Sequence, residues 1–404
     1  MDQSLPLEGV KVLELATVVA APTAGRIMAT YGAHVIKVEA PNGDLLRPVG
    51  AGHQLPAEPD NNPLYDLFNS GKEMIALDLK KPEGMAVFQR LLSECDIFLT
   101  NVRMKSLEKM GLGYEILKRK YPRLIYAHFS GFGLTGPDVD RPGFDSTAFW
   151  LRSGPSLDWL TPGATPLHPS FAFGDLVTSG SFLSGILMAL YARGNTGHGT
   201  LVSTSLHQSG IWCSASAVLN SQYGKEYPAD RYAPWDPFSD YYECADGEWL
   251  AVMEKEYSRD KGTLARILDM PELLEDPNCE NLTTMRQSGM IAVITRRMEA
   301  LMLTRPCAEW ETLFNANDIP NERLRHYKDI PHDLQAAAND VFDYVNYPDG
   351  QSPAMATPPI NFSDYGKLPT QQAGYIGADT DTVLQRLGYS ADEITALLEK
   401  GAVR

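Results

Sequence analysis

Several familiar signatures are missing from the 404 residues. No C-x-x-C pair occurs, and the five cysteines, Cys95, Cys213, Cys244, Cys279 and Cys307, are odd in number and widely spaced. A disulfide framework is therefore not expected, and the thiols read as reduced. Histidine is sparse and scattered (His34, His53, His128, His168, His198, His207, His326, His332) without the paired spacing of a zinc or iron site, so no metal is expected. Positive charge is short: Lys and Arg number 35 against 51 Asp and Glu, and the net charge of −16 disfavours nucleic acid and anionic membranes as partners. No continuous apolar run is long enough to span a bilayer, and Met1-Asp2-Gln3-Ser4 lacks the charged and apolar regions of a signal peptide. The expectation is a cytoplasmic protein with no membrane partner.

What is present is ordinary globular usage, 44% hydrophobic and 21% charged, in a chain longer than one core usually serves, so two domains are the default. Val10–Leu15 reads as a strand, Thr23–Tyr31 as a helix closed by Gly32, and His34–Glu39 as a second strand. Strands at Met74–Leu79, Ile97–Thr100 and Arg123–Ser130, with a proline-opened helix at Pro82–Ser93, continue the alternation and imply a parallel α/β sheet. From Lys225 to Ile319 the texture changes to short aromatic strands, Tyr241–Cys244 and Glu248–Val252, and a helix, Ile291–Leu303. The tail returns to α/β character, with a capping box at Ser390-Ala391-Asp392-Glu393. The division expected is 1–200 with 335–404 as a large domain and 226–318 as a small α+β domain, joined by linkers at 201–225 and 319–334.

Two chemistries fail on their local requirements. A dinucleotide fold is suggested by strand, helix and a second strand ending in Glu39, but Ala16-Thr17-Val18-Val19-Ala20-Ala21-Pro22 stands where G-x-G-x-x-G should. Ser203 and Ser205 near His207 lack a G-x-S-x-G elbow, so a serine hydrolase is not indicated. Gly174-Asp175, ahead of the apolar, small-residue stretch Ser179–Tyr191, is more open. An acid at a helix start is commonly an N-cap. It could equally be a nucleophilic carboxylate, with helix N–H groups near a developing oxyanion and a glycine that admits a bulky thioester.

A family resemblance tips that balance. The stretches Leu7–Glu14, Tyr31–Pro41 with Gly43-Asp44 and Arg47, Gly71-Lys72 with Leu77–Lys80, and Asp96 with Asn101-Val102-Arg103 resemble the family III CoA-transferases, which include the formyl-CoA transferases. So do Met110–Tyr114, Ser130–Gly133 with Gly136-Pro137, Gly143-Phe144-Asp145, Gly174-Asp175, Thr196–Gly199, Asp318–Pro320 and Thr380–Leu384. The resemblance implies a Rossmann-like large domain built from both chain ends, a small domain between, and an interlocked-ring homodimer. It also implies Asp175 as the residue that carries first the acyl group and then CoA, with no permanently bound cofactor and with CoA thioesters and carboxylic acids as substrates.

Carried over from that resemblance, CoA contacts fall on Val19, Ala20, Ala40, Leu77, Asp78, Leu79, Lys80, Asn101, Val102, Arg103, Lys109, Ser130, Gly131, Phe132 and Gly133. A substrate pocket falls on Phe144, Asp145, Phe149 and Gly174. Val19 replaces a family glutamine, Ala40 a family arginine, and Ser130 a family lysine. Phosphate or adenine binding would then lean on Lys80, Arg103, Lys105 and Lys109. No glycine-rich lid is visible over residues 251–260.

The α-methylacyl-CoA racemases resemble this family, but they need a histidine between the glycine and aspartate of Gly143-Phe144-Asp145, and phenylalanine cannot move a proton. A noncatalytic CoA-binding protein fits poorly with an intact Gly174-Asp175. Arg141–Trp150 and Lys118–Pro122 look most like the branch that exchanges CoA among 2-hydroxy acids with branched or aromatic side chains. Oxalate-, carnitine- and bile-acid-type transfer are the alternatives.

Overall fold

A computed structural model of the chain describes residues 4–404; of the opening read for a signal peptide, Met1, Asp2 and Gln3 lie outside it. Contacts divide the described chain into two compact units, one of residues 4–155, 168–219 and 334–404, the other of residues 156–167 and 220–333.

The first unit is built on strands β1 (Lys11–Leu15), β2 (His34–Glu39), β3 (Glu73–Ala76), β4 (Ile97–Thr100), β5 (Ile125–Ser130) and β6 (Leu201–Ser205). All pair in parallel in the order β3-β2-β1-β4-β5-β6. That is the doubly wound order whose switch point lies between β1 and β4. Both faces must be covered, so the strands are nearly continuous in Val, Ile, Leu and Phe and alternate between two cores. Val12, Val35, Ile97 and Ile125 pack on one side, and Leu13, Ile36, Phe98 and Tyr126 on the other.

Helices α1 (Ala20–Thr30), α2 (Pro82–Ser93) and α3 (Met104–Lys109) follow β1, β3 and β4. Between β5 and β6 the crossover runs through a seven-residue π-helix, Asp145–Leu151, and a 24-residue helix, α4 (Phe173–Thr196). A short helix, α5 (Leu206–Cys213), follows β6, with Ser205 capping it by accepting the Gln208 N–H at 3.2 Å. Near the chain's end come a two-stranded hairpin of Phe342–Tyr344 with Ala354–Ala356 and two helices, Thr380–Arg386 and Ala391–Glu399. Ser390 and Glu393 form the expected reciprocal cap.

Three expectations need correction. Residues 201–225, read as a linker, supply the edge strand β6 and two helices, because the alternation Leu201–Ser205 is short and half exposed and carries little signal. The other expected linker, 319–334, contains a strand, Asn321–Arg323. Helix α4 is also longer than the stretch read from sequence, and by length and composition it is apolar enough to cross a membrane, with a window hydropathy of 1.4. Its serines and glycines break it into short apolar runs, which is why the sequence shows no span. Phe182, Leu183, Ile186 and Ala189 on its inner face pack into the core beside α1 and β5.

The second unit holds an antiparallel sheet of Ser239–Glu243, Trp249–Met253 and Asn321–Arg323 around a core containing Leu250, Met298, Trp310 and Phe314. Residues 251–260, considered for a lid, are the end of its central strand and the start of a helix, Tyr257–Ile267. All five cysteines of the chain are free.

Candidate active site

Open α/β sheets bind ligands beyond the carboxyl ends of their strands at the switch point. A cavity of about 980 Å³ opens there, walled by the segment after β1 (Thr17–Ala20), the start of the segment after β4 (Asn101, Arg103) and the end of β5 (Phe129–Gly131, Gly133). It closes over with residues 139–146, 168–172 and Asp175.

Asp175 is the third residue of α4 and does not cap it; Ala172, in a left-handed conformation at φ 66°, occupies the cap position. The Asp175 side chain faces the cavity, is 9% exposed, and receives no hydrogen bond among the described residues. Burial first, and then the neighbouring Asp145 carboxylate, push it up to about 7. Asp145, at the start of the π-helix, is raised to about 6 by burial, against the opposing effect of the Gly174 N–H that it accepts at 3.0 Å. Two acids thus line one cavity, and among the described residues no cation raises or lowers either, an arrangement that marks a candidate site.

Gly174 differs from its expected role. A Cβ there would lie 2.3 Å from Asp145 Oδ1 and 2.5 Å from the Phe149 ring, so the glycine makes room for these side chains, not for an incoming thioester. Gly131 and Gly143 also touch, a Cβ on either falling 2.6 Å from the other's Cα. This crossing brings the residues after Gly143 onto the end of β5. Ser179 Oγ, one turn along α4, lies 2.5 Å from the Ala20 carbonyl oxygen and 2.6 Å from that of Asp175, tying the starts of α1 and α4 together.

Among the expected contacts, Val19, Ala20, Asn101, Arg103, Ser130, Gly131, Gly133, Phe144, Asp145 and Asp175 wall the cavity. Ala40, Leu79, Lys80 and Val102 follow the carboxyl ends of their strands without walling the cavity, and Lys109 ends α3 away from its lining. Leu77 is buried in the core and bridges Val403, and the Asp78 N–H is taken by the Ala402 carbonyl, so the chain's own tail uses this backbone. Phe132 is half-buried with Arg141 and Arg152 over its ring at 5.3 and 5.4 Å. Phe149, expected in the substrate pocket, is 3% exposed and belongs to the core behind Gly174, since apolar periodicity alone does not separate lining from core.

The cationic patch is also smaller than expected: Arg103 and Lys105 line the cavity, Lys80 and Lys109 do not. Residues not expected among the CoA contacts or the substrate pocket also line it, among them Leu45, Arg141 and Phe171 and the histidines 53, 128 and 168. His128 is buried and bonded through Nε2 to the Val102 carbonyl at 2.9 Å, and burial holds its pKa down. Only the fold brings these scattered positions to one opening.

Comparison with known proteins agrees with this geometry. The chain is 34% identical over 398 residues to (R)-2-hydroxy-4-methylpentanoate CoA-transferase of Clostridioides difficile, covering 98% of this chain and 99% of that one. It is 36% identical over 395 residues to cinnamoyl-CoA:phenyllactate CoA-transferase of Clostridium sporogenes, covering 96% and 95%. A crystal structure of a CAIB/BAIF family protein from Brucella suis superposes with a TM-score of 0.79 at 25% identity, over 95% of this chain and all of that one. The family model for CoA-transferase family III matches residues 7–380, and the chain belongs to that family.

Proposed function

We propose that this family III CoA-transferase moves CoA from an acyl-CoA thioester to a free carboxylic acid through covalent intermediates on Asp175. The observation that carries the reading is a carboxylate nine-tenths buried, unbonded and open to a switch-point cavity. A carboxylate stripped of water and of hydrogen-bond donors is a stronger nucleophile than a solvated one. Asp175 oxygen attacks the donor's thioester carbon; the C–S bond breaks, CoA thiolate leaves and an acyl-aspartyl anhydride remains. Thiolate attacks the aspartyl carbonyl, releasing the donor acid as its carboxylate and leaving an aspartyl-CoA thioester. The acceptor carboxylate then displaces thiolate to form a second anhydride. Thiolate finally takes the new acyl group, and the Asp175 carboxylate is regenerated. Protons need not move, which suits a site whose position 144 is phenylalanine.

For the acceptor we propose a 2-hydroxy acid with a branched or aromatic side chain. The relatives from C. difficile and C. sporogenes are named for acids of those two kinds. Leu45, Phe144 and Phe171, 67%, 61% and 42% exposed, present an apolar rim at the cavity where such a side chain would gain from burial. The proposal extends to a homodimer. Helices α4 and α5 turn Met188, Tyr191 and Trp212 outward at 70%, 78% and 78% exposure, an apolar surface that a second subunit would cover. The test is a panel of carboxylic acids offered with one donor thioester and read by mass spectrometry for new CoA esters. Branched and aromatic 2-hydroxy acids should lead it; preference for oxalate or a carnitine-type acid would overturn the substrate assignment.

A further inference from the structure

Glu14, Lys37, Asp44 and Lys72 come from separate motifs of the family resemblance, and the transfer steps use none of them. The fold gathers them into one buried cluster beneath the segment after β1. All four side chains are fully buried, with Lys37 Nζ 3.0 Å from Glu14 and 2.9 Å from Asp44, and Lys72 Nζ 2.9 Å from Glu14. Burial opposes both ammonium charges. At Lys37 the carboxylates of Asp44, Glu14 and Glu39 outweigh it and hold the charge, whereas at Lys72 burial prevails and lowers the group to about 7. Buried ion clusters are commonly replaceable by apolar packing at no loss of stability, so stability alone does not account for this one.

Its remaining hydrogen bonds show what it holds. Lys37 Nζ donates to the Ala16 carbonyl at 2.8 Å, Lys72 Nζ to the Pro22 carbonyl at 2.7 Å, and Asp44 Oδ1 accepts the Val18 N–H at 2.9 Å. Residues 16–22 are therefore gripped at both ends and in the middle. Gly25 in α1 clears the space, since a Cβ there would lie 2.0 Å from Glu14 Oε2. Under this grip Val18 adopts φ 67°, a left-handed conformation that a β-branched residue resists. The next two residues, Val19 and Ala20, begin α1 and wall the cavity that Asp175 faces.

We infer that the Glu14, Lys37, Asp44 and Lys72 cluster is a positioning device for CoA transfer: it holds Val18 left-handed and so sets the Val19 and Ala20 backbone against the thioester at Asp175. The inference rests on reading this cavity as the transfer site, but it can fail separately, because Asp175→Ala tests the nucleophile and leaves the segment's anchors in place.

The experiment compares steady-state transfer by Asp44→Ala with and without Val18→Gly, alongside circular dichroism and thermal melting. Removing the carboxylate frees the Val18 N–H and leaves Lys37 paired with Glu14 alone, so kcat should fall tenfold or more, roughly 1.4 kcal/mol on the barrier, with a smaller change in KM. Glycine takes positive φ without a clamp, so the double variant should recover most of the lost kcat although its melting temperature stays low. If Asp44→Ala does not fold, Asp44→Leu, which keeps the branched shape but cannot accept the Val18 N–H, carries the same comparison. Wild-type kcat in the folded single variant, or no recovery in the double, would overturn the inference.

Discussion

Asp175 and Asp145 face one cavity, and the Asp145 charge makes Asp175 harder to ionise. The proposed transfer chemistry needs Asp175 as the anion, and with burial and Asp145 holding it up to about 7, the reactive fraction should grow as pH rises through neutrality. The kcat profile should therefore show an acid limb near pH 7, and Asp145→Asn should move that limb lower by removing the neighbouring charge; a limb near pH 4 in the parent enzyme would contradict the account. The sign reverses for stability. A carboxyl whose folded pKa is raised favours the fold below its unfolded value near 3.8, and that contribution is lost as pH climbs through about 7. Asp175→Asn should accordingly stabilise the protein at pH 8 by up to roughly 4 kcal/mol and by much less at pH 4, read from denaturant midpoints.

Helix α4 and the π-helix meet where Gly174 lets Asp145 and the Phe149 ring into contact with its backbone. Gly174→Ala forces a Cβ into 2.3 Å of a carboxylate oxygen, and overpacking of that kind costs about 1–3 kcal/mol. The expected result is a lowered melting temperature together with lost transfer; a variant as active and stable as the parent would contradict the assigned role. Much of this level was legible beforehand. The strands His34–Glu39 and Ile97–Thr100 and the helix Pro82–Ser93 have the bounds read from the sequence, because alternation, proline and flanking turns mark them locally. Residues 201–205 were not legible as a strand, since membership of the sheet is decided by pairing with β5 and not by their own pattern. At the site, the motif singled out Asp175, and the structure places it on the cavity. The cluster under Val18 was hidden, because four charged residues spread from position 14 to 72 meet only once β1, β2 and the start of β3 pair.

Over the whole molecule the net charge of −16 sets a background that repels polyanionic CoA, so the cations lining the cavity should matter more than their number suggests. Arg103→Ala should raise KM for the donor thioester with little change in kcat, and the penalty should grow at low ionic strength, where screening is weak. An unchanged KM would remove Arg103 from the binding of CoA. The outward apolar face of α4 and α5 makes its own demand. Sedimentation of the parent should give a dimer, and Tyr191→Asp with Trp212→Asp should shift it toward monomer; a parent that is monomeric at micromolar concentration would contradict the homodimer.

The central claim is that Asp175 carries the acyl group and then CoA. Incubation with an acyl-CoA and hydroxylamine, followed by peptide mass spectrometry, tests it most directly, because hydroxylamine traps an activated aspartyl carbonyl as its hydroxamate. The account predicts one modified peptide, the one containing Asp175, formed only when acyl-CoA is present. Modification at another carboxylate, or none while transfer proceeds, would contradict it.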